Sequence, residues 1–301
     1  MKHASFIAQA LSTPWALQRE VLAAYAGGLA RKFGGRAAGG IDEDDYGAPV
    51  KAAAPGRGNI NRTGSIAVVP LIGTVVQRAG MMEMCGGGTS VQRFTAAFRE
   101  AMADETISQI LIEIDSPGGS VYGVGELFAE VYSARSAKPV VAIANSLAAS
   151  AAYWVGCAAS EFYVTPGGEV GSIGVWQAHE DWSQALVNEG VKPTLISAGK
   201  YKVEGNPYAP LDTEAQAFMQ SRVDDYYTAF TKAVAKGRGV SIDSVRNGMG
   251  QGRVLGSDAA LAEKMVDGIA TMDEVIKKMS RSARAGRSSL KAAQAELAIL
   301  G

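Results

Sequence analysis

The chain has 301 residues, enough for one large domain or two small ones with ample core. Hydrophobic residues make up 47% and charged residues 20%, an ordinary globular balance that excludes a disordered or fibrous chain. A formal net charge of −1 provides no overall field to draw nucleic acid or an anionic membrane.

The N-terminal MKHASFIAQALSTPWALQREVL is broken by Gln, Ser, Thr and Pro before a long apolar run develops, so neither a signal peptide nor an anchor is expected. Residues 1–34 read as a mainly helical segment. Thr13 and Pro14 form a cap and first-turn pair, and Trp15, Leu17, Val21, Leu22 and Tyr25 follow at helical spacing. Over 35–64 the composition shifts to Gly, Ala, Pro and Asp, with an acidic run at Asp42–Asp45, as in a flexible linker.

The main domain is expected over 65–279. It opens on the β-branched run Ser65–Val76, in which Pro70 points to an edge position or a bulge. A helix is expected over Ser90–Ala103 with Val91, Phe94, Ala97 and Phe98 on one face, then a buried strand over Ile107–Ile114 that ends in DSPGGS. A helix to about Arg135, the strand Val140–Ala144 and a further helix starting near Ser150 follow. Phe162–Val164 and Pro193–Ser197 read as strands, Gly171–Val175 as a glycine-rich strand or turn, and Asp181–Glu189 as a helix. A long amphipathic helix is expected over Thr213–Gly237, with Phe218, Val223, Tyr226, Tyr227, Phe230 and Val234 on its apolar side. Short helices at Ile242–Gly248 and Ser257–Met265 flank the strand Val254–Leu255. Residues 280–301 read as a basic linker and a short helix. Strands alternating with helices in this way predict an α/β domain of βαβ units with a mainly parallel sheet.

The chemistry centres on Asn145–Gly156, NSLAASAAYWVG, where the single hydroxyl of Ser150 lies among alanines after an apolar strand. A nucleophile at a strand-to-helix turn gains exposure and backbone donors able to meet an oxyanion. The adjacent glycines of DSPGGS, Gly118 and Gly119, can take backbone geometry closed to other residues and turn N–H groups toward a ligand. Bare backbone at Gly171–Gly174 could pair with an extended peptide. A base is harder to find, because the chain has 2 histidines: His3 lies in the N-terminal tail, and only His179 could serve a Ser-His-Asp triad. Lys202 lies in a segment pinned by Pro, Tyr and Gly, and an amine held against apolar surface has its pKa depressed and can act as a general base. Cys85 and Cys157 show no metal-ligand spacing and read as buried or incidental thiols of a reducing compartment.

DSPGGS, NSLAASAAYWVG, GSIGV and GKYKVEGNPY, in that order, resemble the signal peptide peptidase A family of serine peptidases, and within it the prohead proteases of tailed phages. The likeness runs from about Ile66 to Met279. It implies the Clp protease/crotonase-like α/β spiral. Carried over residue by residue, Ser150 matches the nucleophile and Lys202 the general base. Gly119 and the N–H of Ala151 match the oxyanion donors, Ser172 a support for the lysine amine, and Gly118, Gly171 and Gly174 substrate-binding positions.

No cofactor and no metal are implied. The resemblance implies scaffold and portal proteins as substrates, with the chain itself a further candidate, and small apolar residues before the cut. It also implies a homo-oligomer whose Ser and Lys can meet across a protomer boundary, with neither nucleic acid nor membrane as partner. The place of action would be the cytoplasm of a bacterial host, within assembling proheads. Many members carry Gly-Gly after the nucleophile where this chain has Ala151 and Ala152, whose methyls would narrow the pocket. Competing readings are a bacterial peptidase that degrades signal peptides, and a catalytically idle structural capsid protein. An acyl-CoA enzyme of the crotonase type would leave Ser150 and Lys202 without a role.

Overall fold

The central sheet forms where the sequence is richest in β-branched residues. Strands β3 (Ile66–Ile72), β6 (Gln109–Ser116) and β8 (Val140–Ala149) lie side by side in parallel, Ile112 opposite both Val69 and Ala142. Their nearly unbroken apolar runs suit strands covered on both faces. The computed structural model describes residues 14–17, 60–78 and 88–283. β8 is flanked in parallel by β9 (Glu161–Val164) and β10 (Glu169–Gly171), and β9 in turn by β12 (Gly268–Ile269). Antiparallel strands close the ends of the sheet: β2 (Asn61–Thr63) on β3, and β11 (Val254–Gly256) on β10. The mainly parallel α/β build is the one expected.

Two strands of the central sheet run on into a second, smaller one. After β3 the chain turns at Gly73 into β4 (Thr74–Val76), and after β6 it turns at Pro117 into β7 (Gly118–Ser120). β4 pairs in parallel with β7 and with β5 (Gly88–Ser90). Helices α1 (Val91–Ala103) and α2 (Val124–Ala134) return the chain to the central sheet after each excursion, which winds it into a spiral. Ser90 caps α1 by accepting from Arg93 N–H, and Val91, Phe94, Ala97 and Phe98 are its buried face, as the sequence predicted.

Helix α3 (Ala151–Gly156) is buried in the same core and stacks Trp154 on Phe230 of α5 (Thr213–Arg238), ring centroids 4.5 Å apart. The short helices α4 (Ser183–Asn188), α6 (Ile242–Asn247) and α7 (Ser257–Ala262) fall within the ranges expected for them. On the other face, helix α8 (272–283) packs Val275 and Met279 against Ile66, Leu111 and Ile143. It starts with a capping box, in which Thr271 Oγ accepts from Glu274 N–H and the Glu274 carboxylate accepts from Thr271 N–H.

Four sequence expectations are corrected. Trp15 and Leu17 are not in a helix but in β1 (Trp15–Leu17), because two unpaired backbone edges flank the segment and together outweigh helix propensity. Pro193–Ser197 forms no strand: among the described residues no edge pairs with it, and Ile196 stands 95% exposed. The linker expected to run to residue 64 ends earlier, since Asn61–Thr63 already pairs with β3. The apolar side expected for α5 is buried only in its second half: Phe218 is 54% exposed, whereas Phe230 and Val234 are buried. Pro70 sits beyond the last β2 pairing at Val68, which gives it the edge position its missing N–H requires. The helix expected through Tyr25, the acidic run, Cys85 and the basic tail beyond 283 lie outside the described residues.

One ion pair ties the end of α5 to the sheet. Arg238 forms a fork on Asp267 at 2.8 and 2.7 Å, and Phe162 N–H donates to Asp267 Oδ2. Burial pushes the Asp267 carboxyl up, but the Arg238 fork and the Phe162 N–H outweigh it and hold the group below the ordinary aspartate range. A carboxyl lowered in the folded state adds stability above the unfolded pKa and loses it as pH falls through the folded one. Asp267→Asn should therefore cost about 1–3 kcal/mol at pH 7, less than a fully buried pair because the carboxylate side chain is 38% exposed. Urea unfolding at pH 7 and in acid checks this. The gap between wild type and variant closes as pH drops below about 4.

Candidate active site

Strand β8 ends at Ala149 and α3 begins at Ala151, so Ser150 alone makes the turn between them. Its backbone has φ 57° and ψ −119°, a conformation that non-glycine residues avoid and that costs on the order of 1–3 kcal/mol. Two backbone bonds hold it there: Ser150 N–H donates to Gly171 O at 2.7 Å, and Ser150 O accepts from Trp154 N–H at 2.9 Å. A strained serine at a strand-to-helix turn is the geometry of a nucleophile elbow. Ser150 is 1% exposed.

The glycines of DSPGGS are brought directly against it. Gly118 has φ 95°, and a β-carbon placed on it would lie 2.9 Å from Ser150 Cβ and 2.4 Å from Ala16 O. Gly119 is paired with Val75 on one side and Ala16 on the other. The turn is pinned by a residue that sequence reasoning passed over. The buried Ser116 hydroxyl donates to Gly73 O at 2.6 Å and accepts from Gly118 N–H at 3.2 Å, which joins the two crossings between the sheets. The only sequence signal for it was its place at the start of SPGG. Ala151, the other expected donor, is fully buried as the first residue of α3, where its N–H has no acceptor within the helix.

The GSIG stretch runs beside the serine. Val170 and Gly171 pair with Ala148 and Ala149, and Ser172 (φ 54°) donates its N–H to Arg253 O at 2.8 Å. Gly174 lies on the extended segment that leads to Trp176. Ser150, Ala151, Gly118, Gly119 and Gly171 are thus gathered at one point, with Ser172 and Gly174 next along the chain.

Lys202 is not gathered there. It is exposed on the irregular segment between α4 and α5, and no hydrogen bond or ion pair joins its amine to Ser150. Among the described residues, none supplies the apolar cover expected around it. Lys200 is the better anchored of the two lysines. Its ammonium contacts Glu214 at 2.8 Å and the Tyr201 hydroxyl at 2.8 Å, and these hydrogen bonds, that to Glu214 first, raise its pKa. That favours the charged form and unfits it as a base. His179 Nε2 lies 3.0 Å from Asn206 O, which ties it to the lysine-bearing loop rather than to the serine. Burial pushes the Cys157 thiol up to about 12, so that sulfur offers no thiolate. Among the described residues, no three or more His, Cys, Asp or Glu come together to hold a metal ion, and no helix is long and apolar enough to cross a membrane.

Comparison with known proteins adds four findings. The model of Peptidase family S49 matches residues 133–286. The head-tail preconnector protein GP5 of Enterobacteria phage P21 is 34% identical over 224 residues, covering 73% of this chain and 44% of that protein. Capsid assembly protease C of Escherichia phage lambda is 35% identical over 207 residues, covering 67% of this chain and 46% of that protein. Protease 4 of Haemophilus influenzae is 28% identical over 220 residues, 72% of this chain and 35% of the relative. The chain thus spans less than half the length of these relatives.

Proposed function

The chain belongs to peptidase family S49, and from that premise we propose that it is a serine endopeptidase of phage head assembly, with Ser150 as nucleophile and Lys202 as general base. The observation that carries the reading is the strained Ser150 turn packed against the bare backbone of Gly118 and Gly119. Neutral Lys202 takes the Ser150 proton as Oγ attacks the scissile carbonyl. The N–H groups of Gly119 and Ala151 hold the tetrahedral oxyanion. The lysine ammonium then protonates the leaving amine, and water, activated by the same amine, hydrolyses the acyl-enzyme.

The base comes from a neighbouring copy. The segment that carries Lys202 also carries exposed Trp182, Val187, Leu195, Ile196, Tyr201 and Tyr208, apolar surface that an assembled protomer would cover. Scaffold and portal proteins are the proposed substrates. This agrees with the head-assembly roles named for the phage relatives.

Intact-mass spectrometry of the chain co-expressed with its phage's scaffold and portal proteins tests the proposal. Discrete fragments are expected with the wild type and none with Ser150→Ala or Lys202→Ala. Fragments that survive Lys202→Ala but vanish with His179→Ala would move the base to the histidine. No fragments under any condition would leave a structural capsid role as the better account.

A further inference from the structure

The groove beside Ser150 is already filled, and by this chain. β1 lies between two backbone edges more than a hundred residues away in sequence. On one side it is antiparallel to β7, with Trp15 opposite Ser120, Ala16 opposite Gly119 and Leu17 opposite Gly118. On the other it meets Trp176, which exchanges both backbone hydrogen bonds with Trp15 at 2.9 and 3.0 Å and donates its indole N–H to Leu17 O at 2.8 Å. All three residues are buried. An extended tripeptide inserted between two strand edges is how proteins bind peptides by strand addition.

The register fixes what the segment presents. Both N–H and C=O of Trp15 face Trp176, so in an extended strand those of Ala16 face the opposite edge, toward Gly119. The Ala16 carbonyl oxygen lies against Gly118, whose absent β-carbon would touch both that oxygen and Ser150 Cβ. The Ala16 carbonyl therefore sits where the backbone donor of Gly119 would receive the carbonyl of a bound peptide.

We propose that Trp15–Leu17 is a built-in ligand of the peptide groove: it holds the groove closed to other chains, and release of the segment admits a substrate. The same contacts define the substrate class, an extended chain with a small residue between two large apolar ones. This rests on Ser150 being the nucleophile that the groove serves.

The test measures binding alone, in the full chain carrying Ser150→Ala so that nothing is cut. The probe is a fluorescein-labelled peptide of sequence STPWALQR, this chain's own residues 12–19. Ala16→Glu forces a charge into a fully buried position and should expel the segment, raising affinity for the peptide at least about tenfold, in proportion to the fraction of open groove. Equal affinity with and without Ala16→Glu overturns the proposal. Trp15→Cys with Ser120→Cys supplies a second arm should the charge disturb folding. Directly opposed residues in an antiparallel pair are about 4.5–5.5 Å apart, within disulfide reach. The oxidised, locked chain should bind the peptide at least about tenfold more weakly than the same chain after reduction, and no difference overturns the proposal. A freed groove that binds peptide, in a chain that cleaves nothing even with Ser150 restored, would count against the peptidase reading alone. Cleavage of head proteins by a chain whose affinity ignores the segment would count against this inference alone.

Discussion

Mixing the Ser150→Ala chain with the Lys202→Ala chain should restore peptide hydrolysis that neither chain has alone. Each single substitution is expected to lower kcat by about 10³–10⁶, because a nucleophile and its base act as a unit. Within one chain Ser150 is 1% exposed between β8 and α3, while Lys202 stands on an exposed segment with uncovered apolar neighbours. If the lysine serves the next protomer, random mixing of the two variants sets an intact serine beside an intact lysine at about one site in four, so about a quarter of wild-type activity should return. The measurement is a fluorogenic peptide assay on purified variants before and after subunit exchange. Lack of rescue, with each variant still assembling, would place the dyad inside one chain and require the 177–212 segment to fold back. Lys200→Ala in the same assay should keep most of the activity, since the Lys200 ammonium is engaged by Glu214 and Tyr201.

The sequence made the spiral legible wherever periodicity reports a single environment. The apolar runs of β3, β6 and β8 meet core on both faces of the sheet and the 3.6-residue face of α1 meets one, and each falls close to where it is expected. Ser150 was legible because a lone hydroxyl among alanines at the end of a strand is a sharp local signal. Its strain was not, since the positive φ follows from the bond to Gly171, across the sheet. Ser116 escaped notice for the same reason: its value is a contact with Gly73, distant in sequence. Trp15–Leu17 misled because a Thr-Pro start and helical spacing are local evidence, whereas the edges that capture the segment belong to residues 118–120 and 176. The exposed apolar run around Ile196 was read as a strand, since apolar patterning reports that a surface is to be covered without saying by which chain.

Gly119→Ala should be the most damaging glycine-to-alanine change among the described residues. A β-carbon there would lie 1.8 Å from Val75 O and 2.7 Å from Val75 Cα, both backbone atoms of β4, so no side chain can yield to make room. The methyl must push β7 away from β4, and the proposed oxyanion donor moves with it. Loss of one such donor costs about 10²–10³ in kcat. Overpacking at a buried sheet contact should add about 1–3 kcal/mol of destabilisation. Gly118→Ala should behave similarly for a different reason, since φ 95° is closed to alanine and its methyl would meet Ala16 O and Ala149 O. Gly174→Ala supplies the contrast. Its β-carbon would have no neighbour nearer than Gly252 Cα at 3.8 Å, an ordinary contact, so stability should stay close to wild type. Thermal unfolding and steady-state kinetics on the three variants separate the causes. If Gly119→Ala loses stability while kcat holds, the 118–119 turn supports the fold without serving the oxyanion. If kcat collapses in a chain that still melts cooperatively, the backbone N–H of Gly119 is the group that the small sheet exists to present.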